Sequence, residues 1–369
     1  MNAYRILHVY SSRTSGGAEK VMLELAAGLE RRGHKNFIAA PGGSFMFNRA
    51  GALGLPSRAL TIRGSFDLIG IARLLAIVIG GRIDIVHAHQ GKVFWPCIFV
   101  KFLLLRRIKV VFHRHAQLPH RFYSRLHYRA ADKVIAISNA VGEGLRQREN
   151  VPPSKISIVY NGTDFGRFNT DVDAGGTRRE YGLGSYPVVG TIAAMNMPKG
   201  KGQQYLIEAA QIVSVSHPET RYLIVGDGPL RAGLERMARR TPLADKIIFT
   251  GHTEKVERFM AAMDVVCLLS WDTEGFGQVL VEAQAMGKPV IGTCVGGIPE
   301  TFSDNETGLL IPPEDSRALA AAICRLLADA DLRSRMGAGG FERAHKYFSI
   351  DAMVTAVNKI YDEAINERA

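Results

Sequence analysis

Two series of short β-branched runs, each run followed by a helical stretch, constrain this chain more than any other feature. The first series holds RILHVY (5–10), IDIVHAH (83–89), KVVFHRH (109–115) and KVIAIS (133–138), interleaved with stretches such as AEKVMLELAAGLERRG (18–33). The second starts after residue 186 with PVVGTIAA, RYLIVGDG, KIIFTG, DVVCLLS and KPVIGT. Strand, helix, strand in succession specifies a parallel sheet, because parallel neighbours need a long crossover between them. Two such series predict an α/β chain of two Rossmann-like, doubly wound parallel-sheet domains facing a cleft. Sheets of this kind bind ligands outside the carboxyl ends of their strands.

A chain of 369 residues, 47% of them apolar, exceeds the size at which a single core stops growing. The stretch YNGTDFGRFNTDVDAGGTRREYG (160–182) is polar and rich in Gly and Asp, and reads as a linker. The expected division is 1–165, 166–348, and a last helix, 349–369, crossing back to the first domain. From Ser316 onward the pattern is helical, with breaks near Gly337 to Gly340 and around Ser349. No repeat period marks a solenoid.

No basic segment followed by an apolar run opens the chain, and no stretch reaches the roughly 18 apolar residues of a membrane span. The expectation is a cytoplasmic protein. Cys97, Cys267, Cys294 and Cys324 are scattered without C-x-x-C spacing, which predicts reduced core thiols in place of disulfides or zinc. The net charge of +11 is uneven, since residues 1–170 carry 25 Lys and Arg against 9 Asp and Glu. A basic N-terminal half implies an anionic surface or an anionic, lipid-linked substrate. The helical segments 66–81 and 93–109, with Lys101, Arg106, Arg107 and Lys109, suit a membrane surface, and suit core packing against a sheet equally. Nucleic acid is not expected, because no RNP-type motif or helix-turn-helix pattern is present.

Four strand-end loops carry the chemistry. SSRTSGGAEK places Gly16 and Gly17 where a phosphate or sugar could approach a helix start, although an ordinary turn needs the same glycines. VFHRHAQLPH puts His113 and His115 on one face of a strand end, where a group titrating near neutrality could serve a reacting sugar. A second H-x-H, His87 and His89, has no nearby carboxylate or thiolate in sequence, so no metal site is expected. MNMPKGKGQQYLIEA brings Lys199 and Lys201 to a glycine turn as point charges for a leaving diphosphate, or as solvated loop lysines. EGFGQVLVEAQAMGKP sets Glu274 before the Gly275, Phe276, Gly277 and Gln278 turn, and Glu282 inside an otherwise apolar helix. An acid in such surroundings needs a polar partner, and a vicinal diol is one.

With these stretches in view, the chain resembles the group 1, or family 4, glycosyltransferases of GT-B fold. SGGAEK, VVFHRHA, VYNGTDFGRF, IVGDGPLR, the Glu-x7-Glu pair and GKPVIGTCVGGIPE carry the resemblance over nearly the whole length. It implies transfer from a nucleotide sugar, usually with retention of configuration. Glu274 is then matched to the donor sugar, Glu282 to the ribose, Lys201 to the diphosphate and His115 to the strand-end histidine, with Gly226 in the donor site. Where the family has an Arg before that Lys, this chain has Ala194 or Asn196, and Lys199 competes with Lys201 for the diphosphate. The expected partners are a UDP- or GDP-sugar donor, a lipid-linked or saccharide acceptor of the cell envelope, such as one of lipopolysaccharide or polysaccharide synthesis, and the inner face of an anionic membrane. No cofactor or metal is required. An epimerase of similar fold, or a polyanion-binding protein, are the alternative readings.

Overall fold

The computed structural model describes residues 3–13, 16–105, 107–116, 124–196 and 200–367. The chain forms two compact units, one of residues 1–162 with 350–369 and the other of residues 163–349. The first unit runs β1 (Arg5–Val9), α1 (Gly17–Arg31), β2 (Lys35–Ala40), α2 (Phe45–Ala52), β3 (Ser57–Ala59), α3 (Leu68–Gly81), β4 (Ile85–Ala88), α4 (Gly91–Leu103), β5 (Lys109–Arg114), α5 (Ser124–Ala130), β6 (Lys133–Ala136), α6 (Asn139–Glu149) and β7 (Ile156–Ile158). The second runs α7 (Ala174–Glu180), β8 (Val188–Ile192), α8 (Gln203–Val213), β9 (Arg221–Val225), α9 (Arg231–Arg239), β10 (Ile247–Gly251), α10 (Val256–Ala262), β11 (Val265–Leu268), α11 (Gln278–Ala285), β12 (Val290–Thr293), β13 (Gly308–Ile311), α12 (Ser316–Ala328) and α13 (Ala330–Tyr347). The last helix, α14 (Ile350–Asn366), belongs to the first unit.

Each unit is built on one parallel sheet, seven strands in the order β3-β2-β1-β4-β5-β6-β7 and six in the order β10-β9-β8-β11-β12-β13. Helices cover parallel sheets on both faces, so the strands are apolar throughout; every residue of β11 and β12 is buried. The helices carry their apolar residues as a stripe. In α12 the buried positions Leu319, Ala320, Ile323 and Leu326 follow the helical period, and Asp315 caps its start by accepting from the amides of Arg317 and Ala318.

Helix α14 is integral to the first unit. Met353, Val354, Val357, Ile360 and Tyr361 are buried against Tyr4, Ile6, Ile85, Val111 and α1. Each such side chain contributes roughly 2 kcal/mol by burial. Around that core, the Tyr4 hydroxyl donates to Asp362 at 2.6 Å and Arg32 pairs with Asp351 at 2.6 Å. Gly28 on α1 lets the two helices close, since a Cβ there would overlap the Val354 side chain.

Two expectations are corrected. The stretch read as a linker is ordered chain that carries α7, and Asp173 of its D-x-D pair caps that helix by accepting from the Gly175 and Gly176 amides. Helix α13 runs unbroken through Gly337 to Gly340; the breaks fall at Asp329, which caps α13 through the Leu332 amide, and, as expected, around Ser349, between α13 and α14. Glycine is used there for contact: a Cβ at Gly337 would overlap the Gly287 carbonyl, and one at Gly340 would crowd Gln284. Of the two settings left open for the segment 93–109, Lys101 takes the packed one: it is buried on α4, where its ammonium donates to Asp132 at 2.7 Å and to the Ala130 carbonyl at 3.0 Å. Of the cysteines, Cys97 and Cys267 are core thiols, Cys324 is half-buried and Cys294 is exposed, all four unbridged.

The α1–α14 contact generates a direct test. Gly28→Ala should lower the unfolding free energy by about 1–3 kcal/mol, because the added methyl overpacks the contact. Combined with Val354→Ala, the loss measured by denaturant titration should be smaller than the sum of the two single losses.

Candidate active site

Both sheets reverse their strand order beside the strand laid down first, at β1/β4 and at β8/β11. Loops leaving the carboxyl ends of such a pair diverge to opposite faces of the sheet and leave a crevice. In the second unit the described residues that follow β8 are 193–196 and 200–202, those that follow β11 are 269–277, and the two stretches are joined by charge. The Lys201 ammonium donates to Glu274 Oε2 at 2.5 Å, and the Ser270 hydroxyl donates to the same oxygen at 3.0 Å. Glu274 Oε1 accepts from the Gly275 amide at 3.1 Å. The carboxylate side chain is 16% exposed and the lysine 28%. The pair therefore lies at the rim of the sheet, reachable by a ligand and partly withdrawn from water.

Glycine makes this approach of loops possible at two places. Gly202 has φ +73 and lies so close to Leu269 that any Cβ would overlap its carbonyl, which seats Lys201 over the end of β11. Gly296, at φ +54, packs under the Glu274 carbonyl, and the Gly297 amide donates to that carbonyl at 3.0 Å. The loop after β12 thus props Glu274 from below.

Helix α11 starts at Gln278 with Gly277 as its cap, at φ +105. A helix start offers N–H groups without intrahelical acceptors and a positive dipole end. Leu280, Val281, Ala283, Gln284 and Ala285 are buried, while Gln278, Val279 and Glu282 are half-buried. Positions 278 and 282 are one helical turn apart, so they form the single polar stripe of a helix otherwise enclosed in the core. Glu282 is therefore neither a core residue nor a fully solvated one.

The other expected residues have mixed placements. Phe276 is core: its ring is buried and meets Phe348 edge-on at 5.5 Å, so only its backbone is available to a ligand. Gln278 donates to the Thr163 hydroxyl at 2.8 Å. Gly226, with φ +132, lies where the loop after β9 passes against the Ala193 carbonyl, a packing role. Asn196 is exposed in the loop after β8, and Lys199 lies outside the described residues.

In the first unit, Gly16 and Gly17 are exposed at the start of α1. The loops after β1 and β4 are tied together where Gln90 Oε1 accepts from the Ser11 amide at 2.9 Å and from its hydroxyl at 2.7 Å. His113 and His115 share a face, with ring centroids 4.3 Å apart, and beside them lie His87 and His89 from β4 and His8 from β1. His89 hydrogen-bonds His8 at 3.1 Å and His115 at 3.3 Å, while His87 Nδ1 meets the Tyr361 hydroxyl at 2.6 Å. Both ring nitrogens of His113 are buried, without a hydrogen-bond partner among the described residues. Burial holds His8 and His115 down to about 4, and holds His87, His89 and His113 well below the ordinary range. Two trios, His8/His87/His89 and His89/His113/His115, bring ligand-type atoms within 4.8 Å of one another, so geometry alone would admit a cation.

Sequence reasoning missed several of these groups. Ser270 and Trp271, the latter against Gly200, carry no local signal. The five-histidine cluster was half legible in two H-x-H pairs, but His8 joins it only through the β1/β4 pairing.

Comparison with known proteins follows the same division. The model of glycosyl transferases group 1 matches residues 186–329, and that of glycosyltransferase family 4 matches residues 15–167. The chain is 28% identical over 369 residues to the N-acetyl-alpha-D-glucosaminyl L-malate synthase of Bacillus anthracis, covering 95% of both chains. It is 36% identical over 198 residues, about half of each chain (51%), to a GDP-mannose-dependent phosphatidylinositol monomannoside mannosyltransferase of Mycolicibacterium smegmatis. In fold it is similar to Anabaena HepE solved in complex with UDP, with a TM-score of 0.86, 23% identity and coverage of 97% of this chain and 100% of that one.

The buried histidines generate a pH dependence. Their folded-state values lie below the roughly 6.5 of the unfolded chain, so unfolding takes up protons as pH falls below that point. Stability is then expected to decline from about pH 6.5 toward pH 4, by about 1.4 kcal/mol per pH unit for each histidine kept neutral. Denaturant titrations at several pH values, followed through Trp95 fluorescence in a Trp271→Phe background, should show this slope. His113→Leu should reduce it by about one proton.

Proposed function

We propose that this chain, which belongs to the group 1 glycosyltransferases, moves a sugar from a UDP- or GDP-sugar to a hydroxyl of a lipid-linked or saccharide acceptor of the cell envelope, with retention at the anomeric carbon and without a metal. That it is a glycosyltransferase of GT-B fold rests on two family models that between them span both units, and on relatives that are glycosyltransferases. The observation that supports the finer reading is the Lys201–Glu274 pair across the β8/β11 switch point.

Departure of a nucleoside diphosphate builds negative charge on the β-phosphate. Lys201, with the positive end of α11, is the arrangement that neutralises such charge. In the ligand-free protein Glu274 is the counter-ion of Lys201. An arriving diphosphate competes for that ammonium and releases the carboxylate to accept hydrogen bonds from hydroxyls of the donor sugar. Glu282, on the polar stripe of α11, is assigned the vicinal diol of the ribose. The bond from the anomeric carbon to the phosphate oxygen breaks, and the acceptor oxygen forms the new bond on the same face. The acceptor proton leaves on the diphosphate. His115, with His113 beneath it, is assigned to the transferred sugar, and Gly16 and Gly17 to the backbone approach of substrate at α1. Between the two candidate lysines, the anchoring of Lys201 at the switch point favours it for the diphosphate.

Membrane contact is assigned to the exposed face of α3 and α4. Phe66, Leu68, Phe102 and Leu103 are exposed there and line a groove of about 380 Å³, and Ile69 and Leu105, next to them in sequence, are exposed as well. Scattered exposed apolar residues are ordinary, whereas a contiguous apolar patch on a basic half suits the boundary of an anionic bilayer. Among the described residues no helix is long and apolar enough to cross a membrane, so contact would be peripheral.

Three measurements test these readings. A UDP- or GDP-sugar at about a hundredfold over its Kd should stabilise the protein by about 2.7 kcal/mol, visible as a thermal shift. Glu282→Ala should abolish that shift, and Lys201→Ala should lower kcat by about 10²–10³. The absence of a shift with every UDP- or GDP-sugar, or a shift untouched by Glu282→Ala, defeats the site assignment. Co-sedimentation with phosphatidylserine vesicles should weaken in high salt and on Leu68→Asp with Ile69→Asp; equal binding by that variant refutes the membrane face.

A further inference from the structure

The first unit contains a row of side chains that crosses four neighbouring strands. It begins at Glu30, exposed at the end of α1, whose Oε2 accepts from the Asn36 amide N–H at 2.8 Å and from Asn36 Nδ2 at 2.9 Å. Asn36 on β2 then meets His8 Nε2 on β1 through its Oδ1 at 3.0 Å. His8 Nδ1 lies 3.1 Å from His89 Nε2 at the end of β4, and His89 Nδ1 lies 3.3 Å from His115 Nε2 at the end of β5.

We propose that this chain of hydrogen bonds, set by the Glu30 carboxylate, holds His115 in the single tautomer that carries its proton on Nε2 and leaves Nδ1 as the unprotonated acceptor nitrogen. The direction of every link follows from the first. A carboxylate can only accept, so Asn36 turns its NH₂ toward Glu30 and its carbonyl oxygen toward His8. His8 Nε2 must donate to that oxygen, which leaves His8 Nδ1 as a lone pair. His89 Nε2 must donate to it, leaving His89 Nδ1 as a lone pair in turn. His115 Nε2 donates to that one, and His115 Nδ1 is left bare; it is buried, and among the described residues nothing hydrogen-bonds it.

Each link requires a neutral ring with one donor and one acceptor, since a protonated member would bring two N–H groups face to face. Burial, which disfavours the charged form of all three histidines, supplies that condition. The same links argue against a cation in either histidine trio. Both trios include His89, and both of its nitrogens are engaged. Glu30, Asn36, His8 and His89 are thus positioning residues, acting through His115 without touching substrate. The role of the bare Nδ1 rests on the assignment of His115 to the transferred sugar, whereas the tautomer stands on the first unit alone.

The test is the ring ¹⁵N spectrum of histidine-labelled full-length protein, with His115 assigned by its loss in His115→Ala. Wild type is expected to show Nδ1 at the shift of an unprotonated nitrogen and Nε2 at that of a protonated one. Glu30→Lys replaces an acceptor with a donor at an exposed position. Asn36 should then turn over and reverse every link, so that His115 carries its proton on Nδ1. Glu30→Gln, whose amide can face either way, should give both forms. A wild-type His115 protonated on Nδ1, or an Nδ1 that stays bare in both folded Glu30 variants, overturns the proposal. Transfer activity is a separate arm: if His115→Ala turns over like wild type, the residue loses its place at the sugar while the tautomer result stands.

Discussion

Each sheet of this protein is laid down from its middle outward. Strands β1 and β8 come first in their units, and later strands are added on both sides, so the order reverses at β1/β4 and β8/β11. Parallel pairing places all carboxyl ends on one edge, and the reversal sends neighbouring loops to opposite faces. Nearly every polar group of functional interest here follows from that constraint. Lys201 and Glu274 meet across one reversal, and Ser11 with Gln90, and His8 with His89, across the other. Residues far apart in sequence become partners because their strands are adjacent.

Bringing loops together at such an edge has a steric cost that glycine relieves. At Gly202 and Gly296 the backbone of one loop touches a carbonyl of another, at conformations that other residues rarely adopt. The stiffness of this arrangement holds the Glu274 carboxylate with three donors, Lys201, Ser270 and the Gly275 amide. A carboxylate oriented before substrate arrives has little reorganisation left to do. The same economy of glycine appears in α13, an unbroken helix in which Gly340 serves close contact with α11 and Gly337 with the turn that follows it.

The first unit makes a different trade. Five imidazoles and Tyr361 occupy space that a parallel-sheet protein would ordinarily fill with aliphatic side chains. Keeping them neutral lowers acid stability, and among the described residues neither nitrogen of His113 finds a partner. An unsatisfied buried ring nitrogen costs about 1–3 kcal/mol. Such a cluster is destabilising by itself and is carried by the apolar contacts of α1 and α14 around it.

Period, composition and turn chemistry specified the parallel α/β class, the two series and the strand-end loops, because these depend on residues a few positions apart. The Glu-x7-Glu spacing was legible for the same reason, since both acids fall on one loop and its helix. The helix inside the supposed linker was hidden by its Gly-Gly start, and the glycines of α13 imitated a helix stop, because local propensity cannot register what a residue will touch. Whether Lys101 faced a surface or packed on the sheet stayed open until Asp132 was brought beside it by the pairing of β5 with β6. The sequence by itself determined which segments become strands and helices and which loops carry charge. Only the tertiary structure decided which of those charges and imidazoles would meet, because strand order is a property of long-range pairing and leaves no local periodic trace.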